Sequence, residues 1–200
     1  MKRNGFLAIF LFFAILGIFN SCSDNDTQGN GNVIIQERAV SGFSGVSLDG
    51  VGNVNIQYSQ NFKVIVTTDS NIQDLITISD NADVLYISER DNKGFNATKL
   101  VIDVYMPEIG NVTLKGAGNI NILDGKTSDF EIVLSGTGNI DAQNYKTKNA
   151  VVNLSGAGDI KLWATNSLTG KLSGVGNIYY KGNPSVKGVN ITGIGNVSGL

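Results

Sequence analysis

The heptapeptide Leu134-Ser135-Gly136-Thr137-Gly138-Asn139-Ile140 recurs, with small changes, six times along this chain of 200 residues. The first glycine of each copy falls at position 50, 116, 136, 156, 174 or 193, so the last five copies are separated by 20, 20, 18 and 19 residues. Such near-constant spacing is typical of proteins built from stacked structural repeats. The repeat therefore decides which fold we expect.

Aliphatic and polar residues alternate on both sides of the repeated motif. Val152-Asn153-Leu154 precedes one copy and Ile160-Lys161-Leu162 follows it. A period of two predicts strands that bury one face, and the glycine pair suits a corner with positive φ or a close backbone approach. One such unit cannot bury its apolar face alone, whereas units stacked about 4.8 Å apart can. We therefore predict an all-β parallel β-helix, with about 20 residues in each turn.

The last polar residue of each corner should form a column along the stack. Stacked asparagine side chains can hydrogen-bond between layers. Asp159 differs because a carboxylate accepts hydrogen bonds but does not donate them, so we expect the ladder to break or bend there. The predicted corner ladder comprises Asn53, Asn119, Asn139, Asp159, Asn177 and Asn196.

The segment from Gln57 to Glu108 lacks the motif but contains runs rich in β-branched and aromatic residues, such as 62–67 and 100–105. Residues 72–76 have room for one helical turn, and 81–83 and 91–94 are typical of turns. We predict that this segment forms irregular, wider N-terminal turns of the helix that cover one end of the stack.

The N-terminus has the pattern of an export signal. A basic start, Met1-Lys2-Arg3-Asn4, precedes an apolar run of about 15 residues, which is shorter than the roughly 20 needed to span a membrane. The only cysteine, Cys22, follows directly, as in a bacterial lipobox. We therefore predict a lipoprotein signal peptide at 1–21, a lipidated Cys22 with a flexible tether through residue 32, and one domain at 33–200. A plain signal peptide or membrane anchor with an incidental cysteine is the alternative.

The corner tripeptides Gly-Asn-Ile and Gly-Asp-Ile, the strand that ends at Met106-Pro107 and the lipoprotein leader together resemble the head GIN domain family over residues 38–200. Members of this family are called auto-transporter adhesins, and their function is formally unknown. The resemblance implies a single-stranded right-handed parallel β-helix in the cell envelope. It supplies no catalytic residue.

Composition excludes several classes of function. The chain has no histidine and a single cysteine, so it has no Ser-His-Asp triad and no zinc site of the usual His/Cys kind. A net charge of −2 argues against nucleic-acid binding. One aspartate in six corners is too little charge for a calcium site. We therefore predict no cofactor and no metal.

Candidate site residues are few. Asp141 and Asp159 could approach each other diagonally as the paired acids of a glycosidase, but no third acid, arginine or aromatic platform completes such a site. Alternation points Trp163 and Tyr179 outward on adjacent turns, where aromatic rings can stack on sugars or anchor a protein partner. Lys161 and Lys181 make this candidate ligand surface mildly basic.

We therefore predict a non-enzymatic lipoprotein that presents its surface for adhesion or binding. The alternative is a carbohydrate-active or glycan-binding module that acts on an envelope or extracellular polysaccharide, and a scaffold for another envelope protein is a third class. The predicted location is the outer membrane of a Gram-negative bacterium, on either its periplasmic or its surface face. The predicted partners are the membrane, through the lipid, an envelope protein or glycan, and a second copy joined through the open C-terminal repeat.

Overall fold

The computed structural model describes residues 26–200, which form two β-sheets and two short 3₁₀ helices. The predicted signal peptide and Cys22 lie outside the described residues. Within residues 26–200, no helix has the length and hydropathy needed to cross a membrane. The 3₁₀ helices are Gln73–Leu75 and Arg90–Asn92, and the first of them falls inside the segment predicted to form one helical turn.

The strands of residues 26–200 are numbered in chain order. The first nine are β1 (Thr27–Gln28), β2 (Val33–Arg38), β3 (Gly45–Leu48), β4 (Val51–Tyr58), β5 (Lys63–Asp69), β6 (Ile76–Asn81), β7 (Val84–Glu89), β8 (Phe95–Asn96) and β9 (Leu100–Met106). The others are β10 (Asn111–Leu114), β11 (Ala117–Ile122), β12 (Lys126–Leu134), β13 (Thr137–Leu154), β14 (Ile160–Leu172), β15 (Ile178–Lys181), β16 (Val186–Ile191) and β17 (Val197–Gly199).

The repeats stack in parallel with matching residues in register. Ile140 pairs with Ile120 on one side and with Ile160 on the other, and Leu134 lies between Leu114 and Leu154 in the same way. All of these side chains are buried, because the alternation along each strand turns one face inward. The repeat therefore builds one continuous apolar core.

The prediction of an all-β fold is confirmed, but the prediction of a single-stranded right-handed parallel β-helix is wrong. Fifteen of the strands in residues 26–200 form one mixed sheet that curls round the core as a nearly closed barrel. Strand β5 pairs antiparallel with both β2 and β9, and β6 pairs antiparallel with β7. The predicted wide N-terminal turns are thus replaced by hairpin-like pairs.

Local backbone geometry explains one of these antiparallel pairs. The two residues between β6 and β7, Ala82 and Asp83, have φ of 48° and 65°. A two-residue loop with positive φ at both positions has the twist that joins adjacent antiparallel strands. The chain therefore turns straight back at Asn81 instead of crossing to the next layer.

A buried carboxylate fastens the N-terminal residues to the domain. Asp69 has no exposed surface, and its Oδ1 accepts hydrogen bonds from the Gly31 N–H at 2.7 Å and from the Thr98 hydroxyl at 2.8 Å. Its Oδ2 accepts the Thr98 N–H at 2.7 Å. Burial raises the pKa of Asp69, but the bonds from Thr98, Gly31 and its own N–H outweigh it, and the pKa lies below the ordinary value.

The described part of the predicted tether is therefore attached to the domain. Thr27–Gln28 pairs in parallel with β8, and Asn71 donates from its side chain to the Gln28 carbonyl at 2.7 Å. We call this set of contacts, centred on Asp69, the N-terminal clasp.

Candidate binding surface

The corner residues form a hydrogen-bonded column. Asn119 donates from its side-chain nitrogen to Asn53 Oδ1 at 2.8 Å, and Asn119 Oδ1 accepts both the backbone and the side-chain N–H of Asn139 at 3.2 Å. The last link runs from the Asn196 N–H to Asn177 Oδ1 at 3.1 Å. From Asn119 onward, each side-chain oxygen thus binds the backbone N–H of the next corner.

The column continues through Asp159, where a break was expected. The Asp159 N–H donates to Asn139 Oδ1 at 3.0 Å, and Asp159 Oδ1 accepts the backbone N–H of Asn177 at 2.7 Å and its side-chain N–H at 3.1 Å. A carboxylate fits at position 159 because the side chain there only has to accept hydrogen bonds from Asn177. The donor to Asn139 is the backbone N–H of Asp159, which any residue except proline has.

This geometry predicts unequal effects of two substitutions in the column. Asn139→Ala removes the acceptor of the Asp159 N–H and should lower the free energy of unfolding by about 1 kcal/mol. Asp159→Asn keeps the acceptor oxygen and should change it by less than about 0.5 kcal/mol. Urea unfolding of both variants measures the difference, and equal losses would contradict a column built on acceptors.

A second polar column, which the sequence analysis did not identify, lies two residues farther along the same strands. Asn55 donates to Asp103 Oδ1 at 2.9 Å, and Asn121 donates to Asn55 Oδ1 at 3.1 Å. The signal was present in the sequence as matching polar residues after each motif. Asp103 could not have been placed, because its strand β9 lies in the segment that lacks the motif.

The two predicted acids do lie in one groove. A hollow of about 320 Å³ is lined by Asp141 and Asp159 together with Lys161. Asp141 accepts the backbone and side-chain N–H groups of Gln143 at 3.1 and 3.0 Å. Both carboxylates therefore serve as hydrogen-bond acceptors within the fold. Within residues 26–200, no group of three or more acidic or cysteine side chains could hold a metal ion.

The four residues predicted as a ligand surface occupy adjoining positions on one outward face. Lys161 pairs with Tyr179, and Trp163 pairs with Lys181, so the two aromatic residues lie diagonally across β14 and β15. All four are half-buried. The Lys146 ammonium lies 5.5 Å from the centre of the Trp163 ring, within the range of a cation–π contact.

Tyr145 and Leu123 lie in different environments. Tyr145 is buried, and its hydroxyl donates to the Ile109 carbonyl at 2.9 Å and accepts the Ile109 N–H at 3.1 Å. Burial raises its pKa. Tyr145 is therefore a structural residue, whereas Leu123 is 48% exposed.

Lys126, Lys146 and Tyr58 also belong to this face but were not predicted from the sequence. Lys126 pairs with Lys146, and Lys146 pairs with Trp163. The sequence alone does not predict that Lys146 aligns with Trp163, because the register of β13 against β14 shifts between Ala142 and Lys146. Tyr58 is 51% exposed and lines a hollow of about 460 Å³ together with Gly125 and Lys126.

A third polar ladder lies beside these lysines. Asn149 donates to Asp129 Oδ1 at 2.9 Å and accepts the Asn166 side-chain N–H at 2.7 Å. The bond from Asn149, a hydrogen bond from Ser128 and the charge of Lys148 hold the pKa of Asp129 below its ordinary value. Lys148 therefore has an acidic neighbour.

Solved structures share this fold. The chain is similar to a crystal structure named as a putative adhesin from Bacteroides fragilis, with 23% identity, a TM-score of 0.59, and coverage of 86% of this chain and 99% of the other. It is also similar to a crystal structure named as a putative cell adhesion protein from Clostridium sporogenes, with 19% identity, a TM-score of 0.50, and coverage of 84% and 99%. At these identities the likeness is one of fold. No curated protein matches the sequence.

A family model matches most of the described chain. It is described as "Putative auto-transporter adhesin, head GIN domain", and it matches residues 42–122 and 111–184. These two overlapping matches include five of the six motif copies and also the segment from Gln57 to Glu108, and the resemblance stated from the corner tripeptides is confirmed. The chain belongs to the head GIN domain family.

Proposed function

We propose that this chain is a non-enzymatic cell-envelope lipoprotein that binds a ligand or partner through its outward sheet face and so supports adhesion. The observation that carries the proposal is the adjoining placement of Trp163, Tyr179, Lys161 and Lys181 on β14 and β15. Aromatic residues whose rings are partly exposed, with charged groups beside them, are common anchors of binding surfaces. Membership of a family named for adhesion agrees with this proposal.

Two observations support a role without catalysis. A glycosidase needs one carboxyl group that donates a proton and a second that acts as base or nucleophile. Asp141 is held by the two N–H groups of Gln143, and Asp159 by those of Asn177. Both carboxylates thus already serve as hydrogen-bond acceptors for donors of the protein itself.

The aromatic face favours a glycan as the second candidate for what is bound. Trp and Tyr rings offer a flat apolar surface together with a polar edge, and sugar rings offer matching apolar faces with hydroxyl groups at their rims. In this case the chain has the same binding function, and its ligand is a glycan.

The test of the proposal is performed on whole cells. We expect a strain that lacks the gene to adhere less well to a glycan-coated surface, and complementation with the full chain to restore adhesion. Protease added to intact cells should degrade the chain, because adhesion requires surface exposure. Cys22→Ala should move the protein out of the membrane fraction.

Two results would overturn the proposal. Unchanged adhesion of the deletion strain would exclude the adhesive role. Release of reducing sugar from a polysaccharide by the purified chain would contradict its non-enzymatic character. A Trp163→Ala chain that is exported normally but does not restore adhesion would support the assigned face.

A further inference from the structure

Three lysines and a tryptophan follow one another across neighbouring strands. The strand register runs from Lys126 to Lys146, then to Trp163 and then to Lys181. We call these four residues the lysine column. Neighbouring positions in a sheet are about 4.8 Å apart, so the column presents positive charge at three of four consecutive steps along the stack.

No salt bridge within residues 26–200 neutralises this charge. The salt bridges there join Lys63 to Glu37 and Lys115 to Asp49, and neither involves the lysine column. Like charges at directly opposed sheet positions destabilise the pairing. The Lys126–Lys146 pair is thus an unfavourable arrangement that a bound anion would relieve.

The acidic residues near the column have other contacts. Asp124 accepts the backbone N–H of Tyr58 at 3.0 Å, and Glu108 lies 3.4 Å from the Thr127 hydroxyl. Asp129 is paired with Asn149 and lies near Lys148, outside the column. Within residues 26–200 no carboxylate is salt-bridged to the column, which therefore forms a positive stripe on a chain whose net charge is −2.

Aromatic rings stand at two points along this stripe. Tyr58 is half exposed beside Lys126, where the two residues line the hollow of about 460 Å³. Trp163 on β14 lies three strand steps from Tyr58 on β4, which is about 14 Å along the sheet. The Trp163 ring contacts Lys146. A ligand that fits must therefore be extended, carry repeated negative charges and offer faces that stack on aromatic rings.

We propose that a linear acidic polysaccharide binds along the lysine column, with carboxylate groups at Lys126, Lys146 and Lys181 and sugar rings against Tyr58 and Trp163. This inference rests on the proposed binding function and names its ligand class. A pyranose unit in an extended chain is about as long as one strand step, so successive sugars can meet successive lysines. A nucleotide unit is longer and does not keep this match.

The test uses the full chain in detergent and polygalacturonate, a linear polymer with one carboxylate per sugar. We expect binding that weakens with added salt. The same polymer with its carboxylates methyl-esterified should bind at least ten-fold more weakly, because only the charge differs. Lys126→Met combined with Lys146→Met should weaken binding of polygalacturonate at least ten-fold, and Trp163→Ala should also weaken it.

Lys171→Met is the matched control, since Lys171 is an exposed lysine on β14 outside the column, and it should bind like the unmodified chain. Equal binding of the esterified and the charged polymer would overturn the inference, and so would unchanged binding by the double lysine variant. Tighter binding of single-stranded oligothymidylate than of polygalacturonate would also overturn it, in favour of a nucleic-acid ligand.

These outcomes are separable from those of the cell assay. If the deletion strain adheres poorly but the purified chain does not bind polygalacturonate, the adhesive function is supported and the acidic polysaccharide ligand is excluded. If the deletion strain adheres normally but the purified chain binds polygalacturonate specifically, the adhesive function is excluded and the ligand site is supported.

Discussion

Gly138→Ala should lower the free energy of unfolding by about 3–5 kcal/mol, from backbone strain and overpacking combined. Gly138 has φ of 132°, and a Cβ built there would lie 1.7 Å from the Gly118 carbonyl oxygen in the layer before it. Neither the φ angle nor the neighbouring backbone can relax without separating the two repeats. Since small domains are stable by only about 5–15 kcal/mol, thermal or urea unfolding should detect a large fall.

Three control variants separate the causes of this effect. Gly136→Ala tests the close approach alone, because its φ is not positive but its Cβ would lie 2.0 Å from the Gly116 oxygen. Gly50→Ala, at the same motif position, would meet its nearest atoms at 3.2 Å, one of them in the movable side chain of Glu89, and should be much milder. Thr137→Ala, at the exposed residue between the glycines, should change stability by less than about 0.5 kcal/mol. Equal effects of Gly136→Ala and Gly50→Ala would contradict backbone contact between layers.

Asp69→Asn should open the N-terminal clasp and lower the melting temperature by several degrees at neutral pH. The carboxylate accepts three hydrogen bonds from Gly31 and Thr98. An amide group would point its own N–H at one of these donors and leave a buried donor unpaired, which is costly. Hydrogen exchange of the backbone amides of Gly31 and Thr98 should become much faster.

The clasp also predicts a pH dependence. The pKa of Asp69 is lowered from its ordinary value of 3.8, so its stabilising effect is present above that value and is lost as the pH falls through the lower folded-state pKa. The unmodified chain should lose clasp protection only in strong acid. Asp80→Asn, at an exposed carboxylate in β6, is the control and should leave Gly31 protected. Protection of Gly31 in the Asp69→Asn variant would show that the carboxylate does not hold it.

The repeat carried most of the information about the core. Spacing and alternation alone placed Ile120, Ile140 and Ile160 in one column, because parallel stacking of equivalent strands keeps equivalent residues in register. The same logic brought the corner asparagines together. These features depend only on distances along the chain that are nearly constant from one copy to the next.

The mixed sheet could not be predicted in this way. The reversal between β6 and β7 depends on positive φ at Ala82 and Asp83, and alanine gives no signal of such a backbone. The antiparallel pairing of β5 depends on contacts with β2 and β9, far from it in sequence. Because the segment from Gln57 to Glu108 lacks the motif, its strand partners could not be predicted from the spacing of the repeats.

The candidate binding surface was only partly predictable for a related reason. Trp163 and Tyr179 could be assigned to one face because they stand three residues after Ile160 and one residue after Ile178, and odd steps from paired residues share a face. Lys146 could not be aligned with Trp163, because Gln143, Asn144 and Tyr145 have no counterparts in β14 where the register shifts. Local insertions of this kind move side chains relative to the repeat.

If Cys22 is acylated as we propose, the clasp limits how far the domain can stand from a lipid bilayer. With Cys22 acylated, the span from Cys22 to Asp26 is four residues and covers at most about 14 Å, instead of the reach of a free arm that extends to residue 32. β2 and β17 terminate opposite ends of the strand path through β5, β9, β4, β11, β13, β14 and β15. These eight strand steps amount to about 38 Å. The clasped end of the sheet would then lie next to the bilayer, and β17 would lie eight strand steps away from it, measured along the curled sheet.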